Sequence, residues 1–168
     1  RLNPFTKVLP KPMIPIGDKT ILETIIENFS KYKVPNFYIT SNYKHEILKS
    51  FVKEIKKKKK INIIKEKKPS GTVGSLSYLK KNLEGNFFLT NCDIVIDYDY
   101  FKIKKYHVEK KYDLTIVVID QNYKVPYGIC DINKSGLVKS IREKPTINFL
   151  SNTGLYLLNS KCLKLIMK

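Results

Sequence analysis

Alanine and tryptophan are absent from this 168-residue chain, and arginine occurs only as Arg1 and Arg142. Acidic residues number 15 against 32 basic ones, which leaves a formal charge of +17. Arginine is the side chain of choice for forked recognition of phosphate and guanine, so its scarcity argues against a dedicated nucleic-acid surface despite that charge. Heavy use of Lys, Ile and Asn with no Ala is the skew that coding bias toward A and T produces, and the run Lys56 to Lys60 reads as a solvated helix end. No nucleic-acid partner is expected. Cys92, Cys130 and Cys162 are an odd number at wide spacing with no CxxC pair, which excludes a disulfide framework or a zinc cage and favours a reducing compartment. No apolar run approaches the roughly 20 residues of a membrane helix, and no basic start leads into an apolar signal core. A cytoplasmic protein with no membrane partner is expected. The chain opens at Arg1 rather than Met, so residues before it are expected to be missing.

With 42% hydrophobic residues and 11% aromatics the chain should fold, and its length suits one core domain spanning 1–168. Pro10, Pro12 and Pro15 hold the opening extended or looped, after which Asp18 is placed to cap a helix. Ile21, Leu22, Ile25, Ile26 and Phe29 recur at helical spacing, as do Ile47, Leu48, Phe51, Val52 and Ile55. Asn36 to Ser41, Ile61 to Lys65 and Phe87 to Thr90 read as strands between them, with a helix carrying Leu76, Leu79 and Leu83. This alternation predicts an α/β fold: a Rossmann-like, mostly parallel mixed sheet with helices on both faces. Asp99 to Lys111 is predicted as a helix. Asp113 to Ile119, Tyr127 to Ile132 and Leu137 to Ile141 follow as strands, the last two joined at Lys134-Ser135-Gly136, as if antiparallel structure were added to the sheet.

Ligands of open parallel sheets bind beyond the carboxyl ends of the strands. Asp93 directly follows a strand, where one hard carboxylate plus substrate phosphates could hold Mg²⁺. Such a residue is as often a turn or cap, and Asp97 and Asp99 could serve equally well.

The segments in order are more telling. Arg1 to Gly17, with Pro10-Lys11-Pro12-Met13 followed by Leu22-Glu23, resembles the signature of the sugar-phosphate nucleotidyltransferases. Lys68-Pro69-Ser70-Gly71-Thr72-Val73-Gly74, Thr90-Asn91-Cys92-Asp93, Tyr127-Gly128, Arg142-Glu143-Lys144-Pro145 and Asn152-Thr153-Gly154 agree with it in order. The resemblance implies the nucleotide-diphospho-sugar transferase type of fold. It also implies a reaction in which a nucleoside triphosphate and a sugar 1-phosphate give a nucleotide sugar and pyrophosphate by Mg²⁺-dependent single displacement. Arg1 and Lys11 would meet the triphosphate, and Asp93 would hold the metal. Glu66, Gly71, Thr72 and Asn91 would serve the nucleotide; Gly128, Glu143, Lys144 and Asn152 would line the sugar-phosphate side. Asn-Cys-Asp at 91–93, with residues 124–128 and 148–154, is similar to the guanylyltransferase branch, which favours GTP. UTP, CTP or dTTP, and a non-catalytic sugar-nucleotide-binding homologue, are the alternatives; assembly with copies of itself is left open.

Two departures stand against the family pattern. The strand and glycine-rich loop that precede Arg1 are absent, as is the segment after the Asn-Thr-Gly strand that carries a second metal-binding Asp. A chain truncated at both ends is expected, weak or inactive by itself. His45 and His107 fall in predicted helices away from the motifs and receive no catalytic role.

Overall fold

The computed structural model describes residues 4–55, 60–69, 71–79 and 82–166. It divides into two compact units, one formed by 1–116 with 154–168 and the other by 117–153.

In the first unit a short helix α1 (Phe5–Val8) leads to a single 3₁₀ turn, Lys11–Met13. Strands β1 (Pro15–Ile16) and β2 (Lys19–Thr20) then pair as a hairpin around Gly17-Asp18. Asp18 therefore sits in a two-residue hairpin turn, and the cap of α2 (Ile21–Lys31) is Thr20 instead. The reason is reciprocal bonding. The Thr20 hydroxyl accepts from Glu23 N at 3.2 Å while the Glu23 carboxylate accepts from Thr20 N at 2.8 Å, a capping box that Asp18 could not build with the residue three along. Ile21, Leu22, Ile25, Ile26 and Phe29 are all buried, as their spacing required.

Strands β3 (Asn36–Ser41) and β4 (Lys60–Lys65) pair in parallel, joined by α3 (His45–Ile55). Alternation along the strands sends side chains to two separate cores. Phe37, Ile39, Ile61 and Ile63 meet Leu22 and Ile26 of α2 and Leu48 and Val52 of α3. Tyr38 and Ile64 meet Leu76, Leu79 and Leu163 on the other side. Helical structure thus covers both faces of this pair. Ile47 departs from expectation at 44% exposed, being at the rim of the apolar stripe of α3.

A four-residue helix α4 (Gly71–Gly74) runs into a 3₁₀ turn at Ser75–Leu79, so Leu83 packs from a loop rather than a helix. Strand β5 (Asn86–Thr90) follows, then α5 (Tyr100–Glu109), whose cap is Asp99. Phe29, Tyr32, Phe88, Tyr100 and Phe101 form an aromatic group with neighbouring ring centroids 4.6–5.6 Å apart. Strand β6 (Leu114–Lys124) is longer than the apolar run that announced it and passes into the second unit.

That unit holds β7 (Ile129–Ile132) and β8 (Val138–Arg142), an antiparallel hairpin with an irregularity at Asp131/Ile132. Its turn is closed by Asn133, whose side-chain oxygen accepts from Ser135 N at 3.0 Å and Leu137 N at 2.9 Å. The 14-residue strand β9 (Thr146–Asn159) returns the chain to the first unit, where Leu155–Asn159 pairs antiparallel with β5 and a helical turn, α6 (Leu163–Ile166), follows. The sheet order there is β5-β9-β6. Among the described residues the strands do not join into the one mostly parallel sheet that the alternation predicted: β3 and β4 form a parallel pair of their own, and β5 joins β9 antiparallel in a separate three-stranded sheet.

Candidate functional site

The Pro10–Pro15 segment owes its rigidity to three prolines and two turn bonds, Met13 N to the carbonyl of Pro10 at 2.9 Å and Ile14 N to that of Lys11 at 3.1 Å. A further bond, Ile21 N to Ile14 O at 3.0 Å, ties it to the start of α2. Pro12 is buried, which turns its neighbour Lys11 outward. The Lys11 ammonium comes 3.6 Å from the carboxylate of Asp93, with the side chains 51% and 37% exposed.

Asp93 stands in the turn directly after β5. Of the other carboxylates considered for this rim, Asp99 accepts from Phe101 N at 2.9 Å as the cap of α5. Lys11 pairs with Asp93 and with neither Asp97 nor Asp99 among its described ion pairs. The thiol of Cys92 is held above its ordinary value by its packing and by the Asp93 carboxylate, with Lys11 opposing, so it stays protonated at neutral pH although the residue reaches the surface.

A cavity of about 610 Å³ runs along β3 and β5 between α2 and α5; Cys92 lines it, while Lys11 and Asp93 do not. Glu66, Gly71, Thr72, Asn91 and Cys92 line it together. The Thr72 hydroxyl donates to the side-chain oxygen of Asn91 at 3.1 Å, and Ser75 in turn donates to Thr72 O at 2.8 Å. Glu66 continues β4, its N–H bonded to Ser41 O at 2.8 Å and its carbonyl to the Asn42 amide at 2.9 Å. All four residues predicted on the nucleotide side therefore line this cavity, and Thr72 and Asn91 are in direct contact. Arg1 lies outside the described residues.

In the second unit Gly128 and Glu143 are neighbours: a Cβ at Gly128 would fall 3.0 Å from a Glu143 carboxylate oxygen. Lys144 adopts a left-handed backbone, φ 42°, beside a closing bond from Val125 N to Pro145 O at 3.0 Å. Asn152 lies on β9, next to Thr153, whose hydroxyl donates to Val117 O at 2.7 Å.

Among the described residues no three His, Cys, Asp or Glu side chains cluster as a metal site. A lone carboxylate suits Mg²⁺, which keeps waters and takes most other ligands from substrate phosphates. Two features escaped the sequence reading. Cys92 lines the cavity wall, and Gly154 closely approaches Asn91. An isolated glycine inside a strand is a signal for such an approach.

Parallel β3 and β4 with helical cover, followed by the antiparallel β5-β9 pairing, belong to the nucleotide-diphospho-sugar transferase type of fold. Solved structures of HddC from Yersinia pseudotuberculosis share it at TM-score 0.70 over 93% of this chain and 70% of that one, with 29% identity, and 28% in the form complexed with GMP-PN. The pattern of the nucleotidyl transferase family matches residues 1–168, and the chain belongs to that family. It is 30% identical over 176 residues to the mannose-1-phosphate guanyltransferase of Yarrowia lipolytica, covering 99% of this chain and 48% of that protein. It is also 30% identical over 173 residues to that of Schizosaccharomyces pombe, covering 97% and 47%. The chain thus spans about half the length of the curated relatives it matches. Among the described residues no helix is long and apolar enough to cross a membrane.

Proposed function

We propose that the whole protein joins a sugar 1-phosphate to a nucleoside triphosphate, GTP by preference, giving a nucleotide sugar and pyrophosphate. The observation that carries this reading is the Lys11–Asp93 pair, 3.6 Å apart, with Asp93 adjoining Cys92 in the chain and Cys92 lining a cavity together with Glu66, Gly71, Thr72 and Asn91. A cation held against a carboxylate is what transfer at phosphorus needs, because such reactions depend on positioning and charge stabilisation more than on covalent help. The names of the relatives support guanylyl transfer to mannose 1-phosphate, and the GMP-PN complex of HddC supports a guanine nucleotide.

An oxygen of the sugar 1-phosphate attacks the α-phosphorus in line with the bond to the β-phosphate, which breaks to release pyrophosphate. Lys11 faces the charge that grows on the leaving group. Asp93 would hold Mg²⁺, which when bound supplies Lewis-acid stabilisation of the triphosphate. Thr72, Asn91 and Glu66 seat the base and ribose, and Gly71, which carries no side chain, leaves its backbone open to them. Gly128, Glu143, Lys144 and Asn152 receive the sugar phosphate, Glu143 accepting from hydroxyls and Lys144 meeting the phosphate. No side-chain nucleophile takes part. A cytoplasmic location follows from those soluble substrates.

The test is a pyrophosphate-release screen of full-length protein against GTP, UTP, CTP and dTTP, each with mannose and glucose 1-phosphates, with and without Mg²⁺. Metal-dependent release with GTP is the expected result. Release with another triphosphate would move the nucleotide and keep the reaction; no release with any pair would overturn the reading.

A further inference from the structure

The antiparallel register of β5 and β9 runs from Asn86 opposite Asn159 to Thr90 opposite Leu155. One step further, Asn91 stands opposite Gly154, and its N–H reaches the Gly154 carbonyl at 3.4 Å. Directly opposed residues of such a pair send their side chains to the same face, where they crowd one another. Gly154 has no side chain, and the Asn91 amide leans into the space left. A Cβ built on Gly154 would fall 2.8 Å from the Asn91 side-chain nitrogen, 3.4 Å from its amide carbon and 3.2 Å from the Ile94 methyl. The backbone there is left-handed at φ 81°, a conformation glycine adopts without penalty. Leaning over the glycine, Asn91 presents its oxygen to the Thr72 hydroxyl at 3.1 Å. That bond joins the turn at Gly71–Gly74 to the end of β5, two residues before Asp93.

The geometry points to Gly154 as a positioning residue for the nucleotide: it holds the Asn91 amide against Thr72 and so fixes the cavity wall relative to Asp93. This inference rests on the function proposed above, and it assigns Gly154 to the nucleotide end of the site.

The test is a mutant cycle in the full-length protein, read as the equilibrium Kd for Mg·GTP and as separate KM values for the two substrates. Gly154→Ala is expected to raise Kd and the KM for GTP about tenfold, the size of one lost hydrogen bond, with kcat and the KM for the sugar phosphate changed less than about twofold. Thr72→Val breaks the same bond from its other end without touching the glycine, and it should raise Kd by a similar factor. In the Thr72→Val background Gly154→Ala should add little more, whereas its cost in Tm, which arises from the backbone, should persist. An unchanged Kd in Gly154→Ala, or equal factors in both backgrounds, would overturn the inference. Nucleotide binding without pyrophosphate release would overturn the proposed reaction and leave the Kd cycle to decide the role of Gly154. Absence of nucleotide binding would overturn both.

Discussion

Replacing Lys11 with Met separates a catalytic cation from a stabilising one, because the structure sets very different sizes for the two effects. The Lys11–Asp93 pair is 3.6 Å apart and its side chains are 51% and 37% exposed. At that exposure solvent screening limits an ion pair to roughly 0–1 kcal/mol of stability. Methionine keeps most of the aliphatic stem, so Lys11→Met should lower the Tm of the full-length protein by less than about 4 °C. A positioned cation facing developing charge is worth far more to the rate, about 10² to 10³ in kcat. The assay is pyrophosphate release by the full-length protein under saturating substrates, with thermal melts of the same samples. A fall in kcat of less than about fivefold would refute the reasoning, since one effective positive charge cannot be removed so cheaply from a phosphoryl transition state. So would a large Tm loss that accounts for the lost activity.

Ile26, 2% exposed between α2 and the sheet, should cost about 2–5 kcal/mol when cut to Ala, read as a lower denaturation midpoint at unchanged m value. His107 is 1% exposed, bonded through Nδ1 to the Thr115 hydroxyl at 2.8 Å, with Nε2 lacking a protein partner. Burial pushes its pKa down, opposed by the Asp113 carboxylate, so the folded chain takes up its proton later than the unfolded one. Its stabilising contribution is therefore present above the ordinary histidine range and lost as pH falls through the depressed folded value. Melts from pH 8 to pH 5 should show this loss, and it should shrink in His107→Gln.

The helix α2 was legible because its apolar residues keep helical spacing, and the strands β3, β4 and β5 because short apolar runs stand between the helices; each strand lands on its predicted segment within a residue. Placing the cap at Asp18 failed for a local reason. Its carboxylate is a good cap in isolation, but Gly17-Asp18 also suits a two-residue hairpin turn, and Thr20 with Glu23 offers two bonds where Asp18 offers one. The helix predicted through Leu83 broke for want of length: Gly71 and Gly74 bracket a single α-helical turn, and the chain tightens to 3₁₀ geometry through Leu79. Strand β9 was legible only at Asn-Thr-Gly, because its first half is exposed and carries no alternation to read. Of the site, the proximity of Lys11 to Asp93 was inferred from motif order; no local pattern links residues 82 positions apart. The contact between Asn91 and Gly154 depends on strand register, which one sequence does not reveal.

The account's central claim is that Lys11 and Asp93 meet across a bound triphosphate. A crystal structure of the full-length protein with Mg²⁺ and a non-hydrolysable GTP analogue tests it most directly. The prediction is a metal on the Asp93 carboxylate at about 2.1 Å, with the Lys11 ammonium within hydrogen-bond reach of the phosphates. A nucleotide bound elsewhere, or one seated in the cavity with the Lys11–Asp93 pair intact and no metal between carboxylate and phosphate, would contradict it.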